Sequence, residues 1–215
     1  MNFLTRLKDN LLVWAVRNQK IPDYVKTNMT TNSIKATQEI IGATPDGSWG
    51  PISIRLCQKY LSDLMPENNP WPKSDQASLT EFYGKAGDES KLVNLDVRDL
   101  QIKYEGSLVK SIRCHSKVAD SLKRVLTAIY ASPFQYVLND YAGCYNNRPM
   151  RGGSTPSLHA RGAAIDLRPD SNGNRSHWPT ASDMPIEVMA IFAREGWLSA
   201  GAFWLRDSMH FEATS

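Results

Sequence analysis

The sequence predicts an α+β chain in which a small helical region precedes a larger region of short strands and helices. Two observations carry this. Apolar residues recur at steps of three and four up to Tyr60, the spacing of amphipathic helices. Beyond Ser78, helical and alternating runs follow one another without the regular strand–helix–strand order of a parallel sheet. Between the two lies L-M-P-E-N-N-P-W-P-K-S-D (64–75), with three prolines in seven residues, which ends any helix. The expected division is therefore residues 1–70, a helical module, and residues 71–215, a larger domain.

The first twenty residues place Leu4, Leu7, Leu11 and Trp14 at steps of three or four, as on an amphipathic helix. Their apolar run, Leu11 to Val16, is shorter than a signal-peptide core, and no small-residue cleavage site follows it. We expect this helix to pack on its own protein. Arg6, Lys8, Arg17 and Lys20 around the apolar face leave membrane contact as a lesser alternative. No segment is long enough to span a bilayer.

Ile34, Thr37, Ile40 and Ile41 form the face of a next helix, with Gly42 as its stop. P-D-G (45–47) is a turn signal, and Pro51 suits the first position of a further helix carrying Ile52, Leu56 and Tyr60. In the second region, helices are expected over Ser78–Lys85, Ser116–Ala131 and Pro185–Glu195. K-L-V-N-L, S-L-V-K-S-I-R, Phe134–Leu138, Ala163–Leu167 and His210–Glu212 read as strands.

Composition narrows the class. Hydrophobic residues are 41% and charged residues 22% of 215, as in an ordinary globular protein. A net charge of +3 suits an anionic polymer but is too small to argue for nucleic acid. Cys57, Cys114 and Cys144 are widely spaced, without a C-x-x-C pair. Reduced thiols fit best, with one bridge plus a free thiol left open.

The chemistry concentrates in two segments. S-L-H-A-R-G-A-A-I-D (157–166) carries His159 on a loop that Gly162 separates from a strand carrying Asp166. In that strand Ile165 and Leu167 face one way and Asp166 the other. D-S-M-H-F-E (207–212) puts His210 and Glu212 on one face of a short strand, opposite Phe211. Asp207, three residues before His210, reaches the same side only if a turn precedes the strand. Alone, neither H-x6-D nor D-x-x-H carries much weight against ordinary surface or core polar residues. Together they offer two histidines and a carboxylate, the three protein ligands of a catalytic zinc site.

Two family resemblances follow from these residues. S-L-H-A-R-G-A-A-I-D-L with W-L-R-D-S-M-H-F-E resembles the zinc peptidases that cut peptidoglycan stem peptides. These are the D-alanyl-D-alanine carboxypeptidases and dipeptidases and the L-alanyl-D-glutamate endolysins, which share a fold with the hedgehog signalling domain. Ser157, His159, Gly162, Ala164 and Asp166 match the first part of their pattern, and Asp207 and His210 the second. The resemblance implies a hedgehog-like domain with a mainly antiparallel sheet. It implies Zn2+ on His159, Asp166 and His210, with Asp207 as general base. An upstream arginine, Arg148 in preference to Arg151, would contact substrate and stabilise the oxyanion; Ser157 would orient the site or bind substrate. An aspartate base is similar to the endolysin branch, whereas the dipeptidase branch uses glutamate.

I-K-A-T-Q-E-I-I-G-A-T-P-D-G-S-W-G-P-I-S-I-R-L-C-Q-K-Y-L is similar to the small three-helix peptidoglycan-binding module of wall hydrolases, chiefly through D-G-x-W-G-P. It implies wall contacts from Asp46 and Trp49. The expected whole is a monomeric phage-type endolysin acting on peptidoglycan. It would be held in the host cytoplasm until membrane permeabilisation, and would cut the L-alanyl–D-glutamate bond. A D-alanyl-D-alanine carboxypeptidase is the alternative enzyme. A wall-binding protein with a vestigial metal site is the alternative of another class. Of the remaining residues, His115 is expected in the core or behind a ligand, His177 on the surface with a chance of substrate contact, and Glu212 as partner to a ligand histidine. Trp197, Phe203 and Trp204 are expected in the core.

Overall fold

A computed structural model describes residues 31–215. The helix expected within residues 1–20 lies outside them. Helices α1 (Thr31–Ile40) and α2 (Pro51–Leu64) flank the P-D-G turn, and Pro51 stands at the start of α2, where its missing N–H has no role in the helix. After the proline-rich stretch, α3 (Gln76–Tyr83) begins at Asp75, whose carboxylate accepts the backbone N–H of Ser78 (2.9 Å).

The remainder mixes helices with small antiparallel sheets. Strand β1 (Leu92–Asp96) pairs with β4 (Ser111–His115), and between them β2 (Lys103–Tyr104) pairs with β3 (Ser107–Leu108). Helix α4 (Ala119–Tyr130) follows, with Leu122, Val125, Leu126 and Ile129 fully buried. A third, four-stranded sheet has the order β5 (Tyr141–Gly143), β6 (Ala164–Leu167), β8 (His210–Glu212), β7 (Leu198–Ser199), antiparallel throughout. The short α5 (Pro169–Asn172), then α6 (Ile186–Arg194) and α7 (Ala200–Phe203), lie between its strands in the chain.

One expectation about local structure is corrected. Phe134–Leu138 is not a strand: a 3-10 helix spans Gln135–Asn139. Ser132 nucleates it, its hydroxyl accepting the Phe134 N–H (3.0 Å) and its carbonyl that of Gln135 (3.3 Å). The strand in this region is β5, a little further on, too short to show any alternation.

One hydrophobic cluster runs from Ile41, Cys57 and Leu61 through Trp71 to Trp197 and Phe211. Helix α2 packs on α6 and α7. Trp49 meets Trp178 edge to face at 5.2 Å, and Gln58 Nε2 donates to Ala202 O (3.2 Å). Inside the cluster Phe211 stacks on Phe192 at 3.8 Å. Burying each such ring contributes roughly 1.5–3 kcal/mol. The apolar side of β8 is thereby anchored, so its polar side is held in register.

Candidate metal centre

His159 sits in a 3-10 turn, Leu158–Arg161, that two neighbours define. The Ser157 hydroxyl accepts the His159 N–H (3.3 Å), and Gly162 ends the turn at φ 66. A Cβ at Gly162 would lie 2.8 Å from the backbone nitrogen of His115, whose N–H donates to Gly162 O. Glycine is therefore required by both conformation and space. Asp166 and His210 are directly opposed across the β6–β8 ladder, which brings their side chains together on one face.

The turn required before β8 is present. Leu205 and Asp207 both adopt positive φ (62 and 57), and His210 N donates to Asp207 O (2.9 Å). Asn172 ties this turn down: its backbone carbonyl accepts Met209 N–H (3.1 Å), and its side-chain oxygen accepts the Ser208 hydroxyl (2.9 Å). Helix α7 closes over it so tightly that a Cβ on Gly201 would meet Ser208 Cβ at 2.6 Å. Two non-glycine residues in left-handed conformations cost on the order of 1–3 kcal/mol each and mark a segment shaped for a task.

The three predicted ligands converge. His159 Nε2 lies 3.1 Å from His210 Nδ1 and 3.2 Å from Asp166 Oδ1, and Asp166 Oδ1 lies 3.0 Å from His210 Nδ1. His159 Nδ1 is 2.7 Å from the carbonyl of Cys144, which can only accept, so Nδ1 carries the proton. His210 Nε2 donates to Glu212 Oε2 (3.3 Å), whose other oxygen accepts Thr214 Oγ1 (2.8 Å) and Ser74 Oγ (3.2 Å). Both facing nitrogens therefore present lone pairs, beside a carboxylate oxygen. Three acceptors with no proton between them repel unless a cation joins them. Their separations are close to the ligand–ligand edge of roughly 3.3 Å expected around a tetrahedral zinc with bonds near 2.0 Å. His159, Asp166 and His210 are a possible metal site. The partners Cys144 O and Glu212 supply the hydrogen bonds that fix the tautomer and aim of ligand histidines.

The electrostatics agree. Burial pushes the Asp166 carboxyl upward, but hydrogen bonds and charge from His159 and His210 outweigh it and hold it well below the usual range. Burial opposes charge on His210, yet its bonds to Asp166 and Glu212 raise it to about 10. Without a metal the centre thus gathers a proton, the simplest cation able to relieve the facing acceptors.

These residues line one cleft of about 240 Å3, together with Arg148, Arg151, Ser157, Trp204, Arg206 and Asp207. Asp207 Oδ1 is buried without a hydrogen bond inside the protein. Burial is the largest influence on Asp207 and raises its pKa; the Asp166 charge adds to this, while His210, Arg151 and His159 oppose it. Arg148 reaches the cleft because Ser157 N donates to Arg148 O (3.1 Å) and Met150 N to Thr155 O (2.8 Å), folding the intervening loop back on itself.

Other predicted residues lie elsewhere. His177 is exposed and outside the cleft lining, its ring bonded to Leu205 O (3.2 Å). His115 is a core residue: Nε2 donates to Tyr83 O (3.0 Å) and Nδ1 accepts from Lys117 N. Asp46 is exposed and shapes its own turn, accepting from Gln38 Nε2 and Ser48 N (both 2.8 Å). Trp197 is fully buried as expected. Trp204 corrects the expectation of a core residue: it is 43% exposed and stacks on His210 at 5.5 Å along the cleft. Arg206 was not singled out in the sequence, although its place between Trp204 and Asp207 was a usable signal.

No curated protein and no solved structure matches the chain. Residues 151–213, which hold the His159, Asp166 and His210 triad and Asp207, match the family model described as D-alanyl-D-alanine carboxypeptidase, and by that match this part of the chain is similar to a family of peptidases.

Proposed function

We propose that this protein is a zinc-dependent peptidoglycan peptidase of the endolysin type, acting on the L-alanyl–D-glutamate bond of the stem peptide. The observation that carries the metallopeptidase reading is the approach of His159 Nε2, His210 Nδ1 and Asp166 Oδ1 to within 3.2 Å of one another, with both remaining ring nitrogens committed to partners.

His159, Asp166 and His210 would hold the ion. A zinc ion there would acidify a water to a pKa of roughly 7 and polarise the scissile carbonyl. Asp207 accepts the proton of the attacking water and passes it to the departing amine, a role worth roughly 10²–10⁴-fold in rate. Its raised pKa and unpartnered Oδ1 suit a group that must take up and release a proton. Arg148 stabilises the oxyanion. Trp204 holds the His210 ring by stacking and gives the peptide an apolar wall. Ser157 keeps the His159 turn in place, and Arg151 extends the cationic side of the cleft. His177 would touch only an extended substrate.

The helical segment before residue 70 is proposed to hold the enzyme on the wall. It has a shallow cavity of about 230 Å3 lined by Asp46, Ser48 and the 64%-exposed Ile52. Trp49 would act there through packing rather than direct contact. Among the described residues no helix is long and apolar enough to cross a membrane, so residence in the host cytoplasm before release remains part of the proposal.

A D-alanyl-D-alanine carboxypeptidase is the second reading, and the description of the matching family favours it. Mass spectrometry of digested sacculi separates the two. New N-terminal D-glutamyl ends are expected. Free D-alanine with intact L-alanyl–D-glutamate bonds would move the cleavage site to the second reading. Absence of any peptide cleavage by the zinc-loaded protein would leave a wall-binding protein.

A further inference from the structure

Arg206 occupies an unusual position. It lines the cleft one residue before Asp207, between the two left-handed residues Leu205 and Asp207. Its backbone is fixed from the other side, because His177 and Arg206 form a bridge and Trp178 N donates to Leu205 O (3.3 Å). Among the described residues, Arg206 and Arg148 form no ion pair, whereas Arg124 and Arg168 are each paired with a carboxylate. Of the carboxylates sharing the cleft, Asp166 and Glu212 bond to histidines, and Asp207 is partly buried and feels the Arg151 charge without an ion pair. Among the described residues, Arg148, Arg151 and Arg206 thus line the cleft without forming an ion pair. Beyond Arg151 it adjoins a second cavity of about 600 Å3, lined also by Asn174 and Arg175, with room for more of a peptide.

From this we infer that Arg206, with Arg151, binds a free main-chain carboxylate beside the scissile amide, so that the enzyme selects stem peptides whose D-glutamyl α-carboxylate is not amidated. The inference rests on the stem-peptide reading above. In that peptide the chain continues through the γ-carboxyl of D-glutamate, which leaves the α-carboxyl as an anion next to the bond to L-alanine. A planar guanidinium meets a carboxylate with two parallel N–H···O bonds, whereas a carboxamide presents one acceptor, a donor and no charge. The second anion that could fill this role is the terminal carboxylate of D-alanine, and the experiment distinguishes them.

Three synthetic peptides test the inference. Two are L-alanyl-γ-D-glutamyl-L-lysine amides that differ only in a free or amidated glutamyl α-carboxylate. The third has an amidated glutamate and a free C-terminal D-alanyl-D-alanine. Dissociation constants are read by tryptophan fluorescence on the zinc-loaded Asp207→Asn protein, with and without Arg206→Gln, and kcat/KM is read on the parent and Arg206→Gln proteins. We expect the free-carboxylate peptide to bind the Asp207→Asn protein roughly ten- to a hundredfold tighter than its amide, the scale of a charge-assisted pair. Arg206→Gln should remove that preference by weakening the free-carboxylate peptide alone, and Arg206→Lys should restore only part of it. Equal binding of the first two peptides, or a loss through Arg206→Gln that is the same for both, overturns the inference. If the third peptide instead shows the Arg206-dependent affinity and loses D-alanine, the D-glutamyl carboxylate is not the anion selected, and the proposed cleavage site falls with it. Arg206-dependent discrimination between the first two peptides without cleavage of either would uphold the inference and overturn the scissile bond alone.

Discussion

His159 Nε2 and His210 Nδ1 face each other at 3.1 Å while their opposite ring nitrogens donate to Cys144 O and Glu212. Neither ring can turn away without abandoning a buried bond. Both facing nitrogens are thus held toward one site that a metal or a single proton can occupy, and Asp166 opposite His210 in the sheet completes a three-sided cradle.

The purified protein is expected to carry one zinc per chain. His210→Ala should remove it, since two remaining ligands bind far more weakly. Inductively coupled plasma mass spectrometry of both proteins checks this; equal zinc in the two would refute the assigned ligands.

Metal loading should release about one proton per chain at neutral pH, because in the metal-free protein His210 is held protonated, at about 10. Calorimetric titration in buffers of different ionisation enthalpy measures the number. A titration enthalpy that is the same in every buffer would show that no proton is displaced.

Glu212→Gln keeps the shape and a hydrogen bond to His210 but loses the charge behind the ligand. Metal affinity should fall by roughly 10–100-fold, read by competition with a chelating indicator. Unchanged affinity would reduce Glu212 to a packing residue.

Asp207→Asn should keep its zinc and lose roughly 10²–10⁴-fold in kcat/KM. In the parent protein, protonated Asp207 cannot act as base, so activity falls as pH drops through its pKa. Burial raises that pKa. Asp207→Asn should remove that acidic limb, and a limb that persisted unchanged in the variant would contradict the assignment.

Gly162→Ala should destabilise the fold by about 1–3 kcal/mol, because the new Cβ meets a backbone nitrogen at 2.8 Å and φ is 66. Thermal unfolding measures it. Trp49→Ala should likewise lower the melting temperature, through loss of its edge contact with Trp178. If Trp49→Ala reduced wall binding at an unchanged melting temperature, Trp49 would be a contact residue after all.

Much of this was legible in the sequence because it is written at short range. Helical periodicity, Pro51 at a helix start and Gly162 as a stop depend on neighbours within a few residues. The alternation in A-A-I-D-L likewise set Asp166 opposite Ile165 and Leu167, and that in H-F-E set His210 and Glu212 on one side and Phe211 on the other, before any pairing was known. Less was legible where strands are too short to alternate, as at Tyr141–Gly143, or where a side-chain bond redirects the backbone, as Ser132 does ahead of Gln135–Asn139. Trp204 looked like core from composition alone, since an aromatic residue in an apolar run says nothing of which side it presents.

By itself, then, the sequence determined which residues could form a metal site and the strand face on which Asp166 and His210 each stand. Tertiary structure decided whether those faces meet. The β6–β8 ladder sets Asp166 opposite His210 across a sequence separation of 44, and the Ser157 turn adds His159 to them. Two non-glycine residues held at positive φ by surrounding packing swing Asp207 and Arg206 into the same cleft. Backbone conformations that a residue does not favour by itself are imposed from outside the segment, by Asn172 and Gly201 here, and so leave no local trace in the sequence.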